Sequence, residues 1–171
     1  TQNIDSLEAL AGVGRERIVA AHGNFDAAHL AGRPAAAVDV EELRCAVLEG
    51  EGAIRALNER HGGLAKPAIT FFGEPLPERF GELVPEGFAQ CDLLIVMGTS
   101  LKVRPFALLP EFPNRGTPRL LINRQRVGPF TFQCDRGAHD PPAELARPTT
   151  DVFFEGDCDA GVRELARLAG M

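Results

Sequence analysis

Three short runs of consecutive apolar residues, "DLLIVM" (92–97), "RLLIN" (119–123) and "DVFF" (151–154), constrain this chain more than any other feature. Each is too short for a buried helix and too apolar to leave one face wet, which is the pattern of strands covered on both sides. "RIVAA" (17–21) and "AITFF" (68–72) fit the same description. Helix signals stand between them. Asp5 or Ser6 can cap a short helix carrying Leu7 and Leu10, with Gly12 to end it. Asp39 lies three residues before Glu42, a capping-box spacing, and Val40, Leu43 and Val47 then share a face. Residues 52–60 predict another helix, stopped by Gly62 and Gly63. Asp159 can cap a last helix whose Val162, Leu165, Ala166 and Ala169 turn inward. Strands spaced by helices predict an α/β fold with a parallel, Rossmann-like sheet, which binds ligands at the carboxyl ends of its strands.

Residues 24–66 break this rhythm. They contain no buried-strand run, and "AGRPAAAVD" (31–39) is a loop signal, so the segment predicts a small helical insertion of two short helices. The expected division is therefore residues 1–23 with 67–171 as the Rossmann-like domain, and 24–66 as the inserted module. "GPFTFQCDRGAHDPPAELARPTT" (128–150) predicts a long polar loop, of the kind that is usually functional or mobile. A net charge of −6 argues against a broad nucleic-acid footprint, and no apolar run nears the ~20 residues of a membrane span. No basic-then-apolar signal segment opens the chain. It starts on Thr1, without a methionine, which predicts a piece of a longer or processed protein. Cys45, Cys91, Cys134 and Cys158 form no CxxC pair; their scatter argues against a disulfide framework and for a reducing, intracellular setting.

Four places could carry chemistry. At Gly98-Thr99-Ser100 an apolar strand ends in a residue that lets a ligand approach the backbone and two hydroxyls that can bond ribose or phosphate oxygens. Read alone, the same triplet is a weak signal, and a plain strand-to-helix turn is the simpler reading. Asn123 ends a second strand, where it can bond a nucleotide sugar or simply make a turn. His22 follows an apolar run and precedes Gly23, a position suited to a general base and equally to a histidine satisfied by local backbone. His29 and His61 lack the closely spaced partners that zinc sites use, so solvated histidines are the simpler reading.

Six ordered blocks go beyond these generic signals: "TQNID", "AAHGNF", "KPAITFFGEPLPERF", "CDLLIVMGTSLKVRPFALLP", "PRLLINRQRVGP" and "FFEGDCDAGVREL". In order and approximate spacing they resemble the sirtuin family of NAD-dependent protein-lysine deacylases, over nearly the whole chain and most densely at 66–128. The resemblance implies a sirtuin-type protein deacetylase or deacylase of transferase type, yielding nicotinamide and O-acyl-ADP-ribose. It implies that Gln2, Asn3, Ile4 and Asp5 hold the nicotinamide and its ribose, with Asn3 and Asp5 also in the catalytic group. It makes His22 the general base. Gly98, Thr99 and Ser100 then face ribose and phosphates, Asn123, Arg124 and Gln125 the adenosine ribose, and Cys158 the adenine. Thr70, Phe71, Phe72, Gly73 and Glu74 line the tunnel for the acyl-lysine of a protein or peptide substrate, and Lys102 and Val103 pair with that substrate as an added strand.

The chain departs from the family pattern twice. The two CxxC pairs of the family's zinc ribbon fall at Leu30 and Arg33 and near Asn58 and His61, so zinc is expected to be lost. An apolar set of Leu30, Val40, Leu43, Val47, Ile54 and Leu57 would take its place, with His29, Cys45 and His61 as the residues that could still improvise a site. The family's glycine-rich phosphate loop and its strand also fall before Thr1. The sheet is then incomplete at its N-terminus, and a partner chain could complete it. The alternative to a deacylase is an inactive sirtuin-like structural subunit of a larger assembly. A nucleotide binder unrelated to sirtuins would leave the six blocks unexplained.

Overall fold

The computed structural model describes residues 1–133 and 150–171, arranged as two compact units, Thr1–Leu83 and Val84–Met171. Most of the segment expected to form a loop at 128–150, with Cys134, lies outside the described residues.

The first unit is built on an antiparallel sheet. Strand β1 (Gly23–Leu30) runs between β2 (Arg33–Val38) and β3 (Ala65–Ile69), with Ala28 opposite both Val38 and Pro67, and His29 opposite Lys66. Helices α2 (Val40–Glu49) and α3 (Glu51–His61) cover one face. Alternate residues Ala28 and Leu30 of β1 point into this core, where they meet Val38, Leu43, Leu57 and Ala65. The Asp39 carboxylate accepts the Glu42 N–H at 2.8 Å and caps α2 as its spacing predicts. Gly62 ends α3 in the left-handed conformation, with φ of +64°. Ahead of the sheet, α1 (Leu7–Leu10) begins where Asp5 Oδ1 accepts the Leu7 N–H at 3.2 Å.

This unit corrects several expectations. Residues 24–66 are not wholly helical: a β-hairpin precedes the two helices. Its strands are rich in alanine and poor in β-branched residues, so their β signal is weak, and pairing on both sides of β1 supplies what propensity does not. "RIVAA" forms no strand. Arg15–Arg17 is a 3-10 turn, Ile18 beyond it is extended, and the segment is tied to the chain's opening, with Ala21 N–H on the Thr1 carbonyl at 2.9 Å. "AITFF" leaves the sheet after Ile69, and its strand is antiparallel to β1 rather than a member of a parallel sheet. Val47 is 54% exposed and takes no part in the core, where Ala46 stands instead.

The second unit holds the parallel sheet. Strands β4 (Leu94–Met97), β5 (Arg119–Asn123) and β6 (Asp151–Glu155) lie in the order β4-β5-β6, in register from Leu94 opposite Arg119 to Asn123 opposite Glu155. Only the central strand is buried along its length, because β4 and β6 each have β5 as their one neighbour among the described residues. Leu121, Val96, Leu101, Val127 and Phe130 form the core on one face. Helix α5 (Cys158–Leu168) packs close to the sheet through Gly161, where a Cβ would lie 2.3 Å from Ile122 Cγ2. Hence Gly161, and not Val162 or Ala169, is the buried position of α5, with Leu165 and Ala166 half-buried. Asp157, not Asp159, precedes the first turn of α5. Helix α4 (Glu78–Ala89) contains the boundary between the two units.

Candidate functional site

The carboxyl ends of β4, β5 and β6 open onto a cavity of about 990 Å³. Gly98, Thr99 and Ser100 reach it from β4, Asn123, Arg124 and Gln125 from β5, and Cys158 from the first turn of α5. All seven positions come from the sequence expectations, and three separate strand ends bring them to one place. Gly98 has φ of +60°, and a Cβ there would lie 3.2 Å from Cys158 Sγ, so the glycine lets the β4 end pass beneath the start of α5. Asn123 Nδ2 donates to the Thr99 carbonyl at 3.1 Å and to the Gln125 carbonyl at 2.9 Å, binding two strand-end loops together. Thr99 Oγ1 accepts the Leu101 N–H at 3.1 Å and holds Leu101 at φ of +48°.

The sequence reading missed Gly156, Asp157, Asp159, Ala160 and Arg163, which complete the lining. Asp157 accepts from Arg124 Nε at 2.6 Å. That bond, and the attraction between the two charges, raises the Arg124 pKa above the usual guanidinium value. The signal for these residues lay in α5: parallel strands put the start of the next helix at the same edge, so the first turn after β6 belongs to the cavity. The donor set suits a nucleotide. It offers amides, a serine hydroxyl, two guanidinium groups, two carboxylates, and backbone bared at Gly98 and Gly156, within the volume usual for small-molecule sites.

The first unit gathers the other predicted residues. His22 Nδ1 lies 3.3 Å from the Gln2 carbonyl oxygen, and since a carbonyl only accepts, Nδ1 is the donor. The His22 carbonyl accepts the Thr70 N–H at 2.8 Å, and the Ile4 carbonyl accepts the Phe25 N–H at 3.2 Å. Thus "QNI", "HGNF" and the end of β3 are neighbours. Gly23 makes this possible: its φ is +67°, and a Cβ would sit 1.9 Å from the Ala68 carbonyl oxygen. Asp5 is taken up by the α1 N-terminus. Asn3, Thr70 and Glu74 border a second cavity, of about 1020 Å³, together with His29, which the sequence weighed only as a metal ligand, and with Arg15 and Lys66, which it placed at no site. Phe71 and Phe72 are exposed, at 49% and 101%. Lys66 hydrogen-bonds Glu74 and holds its carboxyl below the ordinary glutamate value, aided by the Phe71 N–H. In the second unit, Lys102 and Val103 are exposed in the loop after β4 and form no strand.

The four positions expected for zinc-ribbon cysteines do not fit a zinc ion. Leu30 is in the core, Arg33 Nη2 donates to the Gly62 carbonyl at 2.6 Å, and Asn58 Oδ1 accepts the Ala65 N–H at 2.8 Å. His61 Nε2 pairs with Glu42 Oε2 at 3.1 Å. His29 and Cys45 are bonded to Leu30 and Glu41, and among the described residues no three His, Cys, Asp or Glu side chains gather as metal ligands. No helix among the described residues is long and apolar enough to cross a membrane.

Comparison with known proteins bears on both halves of this geometry. The model of the Sir2 family matches residues 1–105, more than half of the chain. The chain belongs to the Sir2 family. Its similarity to individual family members extends past the matched region, through the nucleotide-suited cavity of the second unit. It is 40% identical to the NAD-dependent deacetylase sir2A of Dictyostelium discoideum, across 99% of this chain and 32% of that protein. It is 44% identical to the NAD-dependent protein deacetylase hst2-1 of Emericella nidulans, across 99% and 42%. With the NAD-dependent protein deacetylase sirtuin-2 of Danio rerio the identity is 38%, across 99% and 45%. This Sir2 family chain therefore spans less than half the length of these relatives.

Proposed function

We propose that this Sir2 family chain carries the nucleotide-holding edge and the proton-accepting histidine of an NAD-dependent protein-lysine deacylase. The observation that supports this best is the convergence of Gly98, Thr99, Ser100, Asn123, Arg124, Gln125 and Cys158 on one cavity at the carboxyl edge of a parallel sheet. In this reading Ser100, Asn123 and Gln125 bond the ribose hydroxyls, and the bared backbone at Gly98 lets the nucleotide approach. Cys158 lies beside the base as a packing contact. Gln2, Asn3, Ile4 and Asp5 serve the nicotinamide end. NAD, when bound, supplies the ribosyl carbon that receives the acyl oxygen and the nicotinamide that leaves.

The chain's own contribution to the chemistry centres on His22. With Nδ1–H given to the Gln2 carbonyl, the neutral ring carries its lone pair on Nε2, the atom that takes a proton from a ribose hydroxyl. Phe71 and Phe72 offer apolar walls for the methylene stem of lysine, whose acylated tip is neutral. Lys102 and Val103, exposed and outside any strand, offer backbone for an added strand of substrate. The hairpin and two helices of the first unit hold together without zinc; a fall in melting temperature on dialysis against a chelator would refute that.

The test is nicotinamide release from NAD in the presence of an acetyl-lysine peptide. The expected result is release by the chain that drops by at least about a hundredfold in His22→Ala, in line with the loss of a general base. Equal release by both would remove His22 from the chemistry. No release by either would favour the alternative of an inactive structural subunit.

A further inference from the structure

Among the described residues of the first unit, Lys66 is the one buried charged side chain, 5% exposed in β3. Burying an ammonium is unfavourable unless its donors find partners. Here every partner lies in the turn that leaves β3. Lys66 Nζ donates to the Ile69 carbonyl at 2.6 Å and to Glu74 Oε2 at 2.8 Å, and it stands 4.4 Å from the centre of the Phe71 ring. The same Glu74 oxygen accepts the Phe71 N–H at 2.9 Å, and the Glu74 N–H donates to the Phe71 carbonyl at 3.0 Å. The ammonium therefore grips the 69–74 turn at its backbone, its carboxylate and its aromatic ring.

Its other anchor is a backbone one at its start, where the Thr70 N–H donates to the His22 carbonyl at 2.8 Å, short of the Phe71–Glu74 stretch. Gly73 has φ of +90°, and the two phenylalanines ahead of it are exposed rather than packed into a core. A turn whose apolar side chains face solvent gains little order from burial, so polar bonds decide its shape. A charge-assisted bond from a buried lysine, fixed by the sheet beneath it, is the strongest of those present. At position 66 an apolar side chain would satisfy the sheet equally well. What the lysine adds is the clamp.

We infer that Lys66 is a positioning residue that pre-forms the Phe71–Glu74 turn for an acyl-lysine side chain. It touches neither the substrate nor the nucleotide. The inference rests on the deacylase reading for the identity of the ligand. It predicts that the clamp sets affinity for the acylated peptide and leaves affinity for NAD unchanged, because none of the residues assigned to NAD is a partner of the Lys66 ammonium. Preformed geometry of this kind saves the ordering cost that a loose turn would incur at each binding event.

The experiment compares the chain with Lys66→Met, which keeps the stem and loses the charge, and Lys66→Arg, which keeps a charged donor. Hydrogen exchange at the Phe71 amide reports the clamp, and titration with an acetyl-lysine peptide and, separately, with NAD reports the two sites. The expected result is faster exchange and weaker peptide binding in K66M, by between about tenfold and a hundredfold, with NAD binding unchanged and partial rescue in K66R. Peptide binding that is equal in the parent chain and K66M, while Phe71 exchange accelerates, would overturn the inference and leave Lys66 a purely structural residue. A parent chain with a protected Phe71 amide and no affinity for the peptide would overturn the deacylase reading, and the substrate role of the clamp with it. If K66M does not fold, Glu74→Gln, which keeps an acceptor but not its charge, is read against the same outcomes.

Discussion

The Asn123 side chain donates a 3.1 Å hydrogen bond to the Thr99 carbonyl, joining the end of β5 to the loop after β4. Its second amide proton goes to the Gln125 carbonyl at 2.9 Å. One residue thus fixes both loops that frame the nucleotide-suited cavity. Asn123→Asp, nearly the same shape, has no N–H to give and turns a carboxylate toward two carbonyls. The expected cost is about 1–3 kcal/mol of stability, measured by denaturant unfolding, together with weaker NAD binding in a calorimetric titration. An unchanged NAD affinity would detach the cavity from the nucleotide.

Gly23 should tolerate no side chain. Its φ is left-handed, and an added Cβ would stand only 1.9 Å from the Ala68 carbonyl oxygen. Gly23→Ala is expected to cost about 2 kcal/mol or more and to move His22, so nicotinamide release falls beyond what the stability loss explains. Gly81→Ala is the contrast: it lies inside α4 with open space where its Cβ would go, and it should stabilise by about 0.5–1 kcal/mol. Thermal unfolding of the two variants in parallel is the check, and shifts of the same sign would contradict it.

Arg119 and Asp151 form a buried ion pair between β5 and β6, both side chains 2% exposed. Arg119 Nη1 also donates to the Pro110 carbonyl at 2.7 Å, and the guanidinium stands 4.9 Å from the centre of the Phe130 ring. Removing one partner strands a buried charge, so Asp151→Ala should cost about 3–5 kcal/mol. The double replacement Arg119→Met with Asp151→Leu should recover much of that, because it removes both charges. A double variant no better than Asp151→Ala in urea unfolding would mean that the Pro110 and Phe130 contacts, rather than the pair, set the cost.

Acid should loosen the turn after β3. The bond from Lys66 first, then the Phe71 N–H, and more weakly the charge of His29, hold the Glu74 carboxyl below its ordinary pKa of 4.5. A depressed carboxylate contributes stability that is fully present above the unfolded value and is lost as pH falls through the folded one. The Phe71 amide is therefore expected to keep its protection down to about pH 4.5 and to lose it below. In Glu74→Gln that step should vanish. Hydrogen exchange across this range decides it, and an identical acid profile in the variant would assign the transition to other carboxylates.

The amino-acid sequence by itself determined the α/β class, the three parallel strands, the capped α2 and the strand ends at Gly98–Ser100 and Asn123 that line the cavity, whereas Arg124, Gln125 and Cys158 were implied by the family resemblance. Each of the former is written in local signals: a continuous apolar run, a carboxylate three residues before a glutamate, a glycine or asparagine at a strand end. "RLLIN" matches β5 residue for residue because the central strand of a sheet must be apolar on both faces. Only the tertiary structure decided the rest. The hairpin at 23–38 is legible only through its pairing, since alanine favours no strand until neighbours on both sides supply its hydrogen bonds. "RIVAA" has strand-like residues but pairs with no strand among the described residues, and it runs from the end of a 3-10 turn at Arg17 into a turn at Ala21. Nothing in the run "KPAITFF" singles out Lys66. Its burial and its grip on Glu74 depend on how β3 turns after Ile69, a long-range arrangement that no pattern of neighbouring residues encodes.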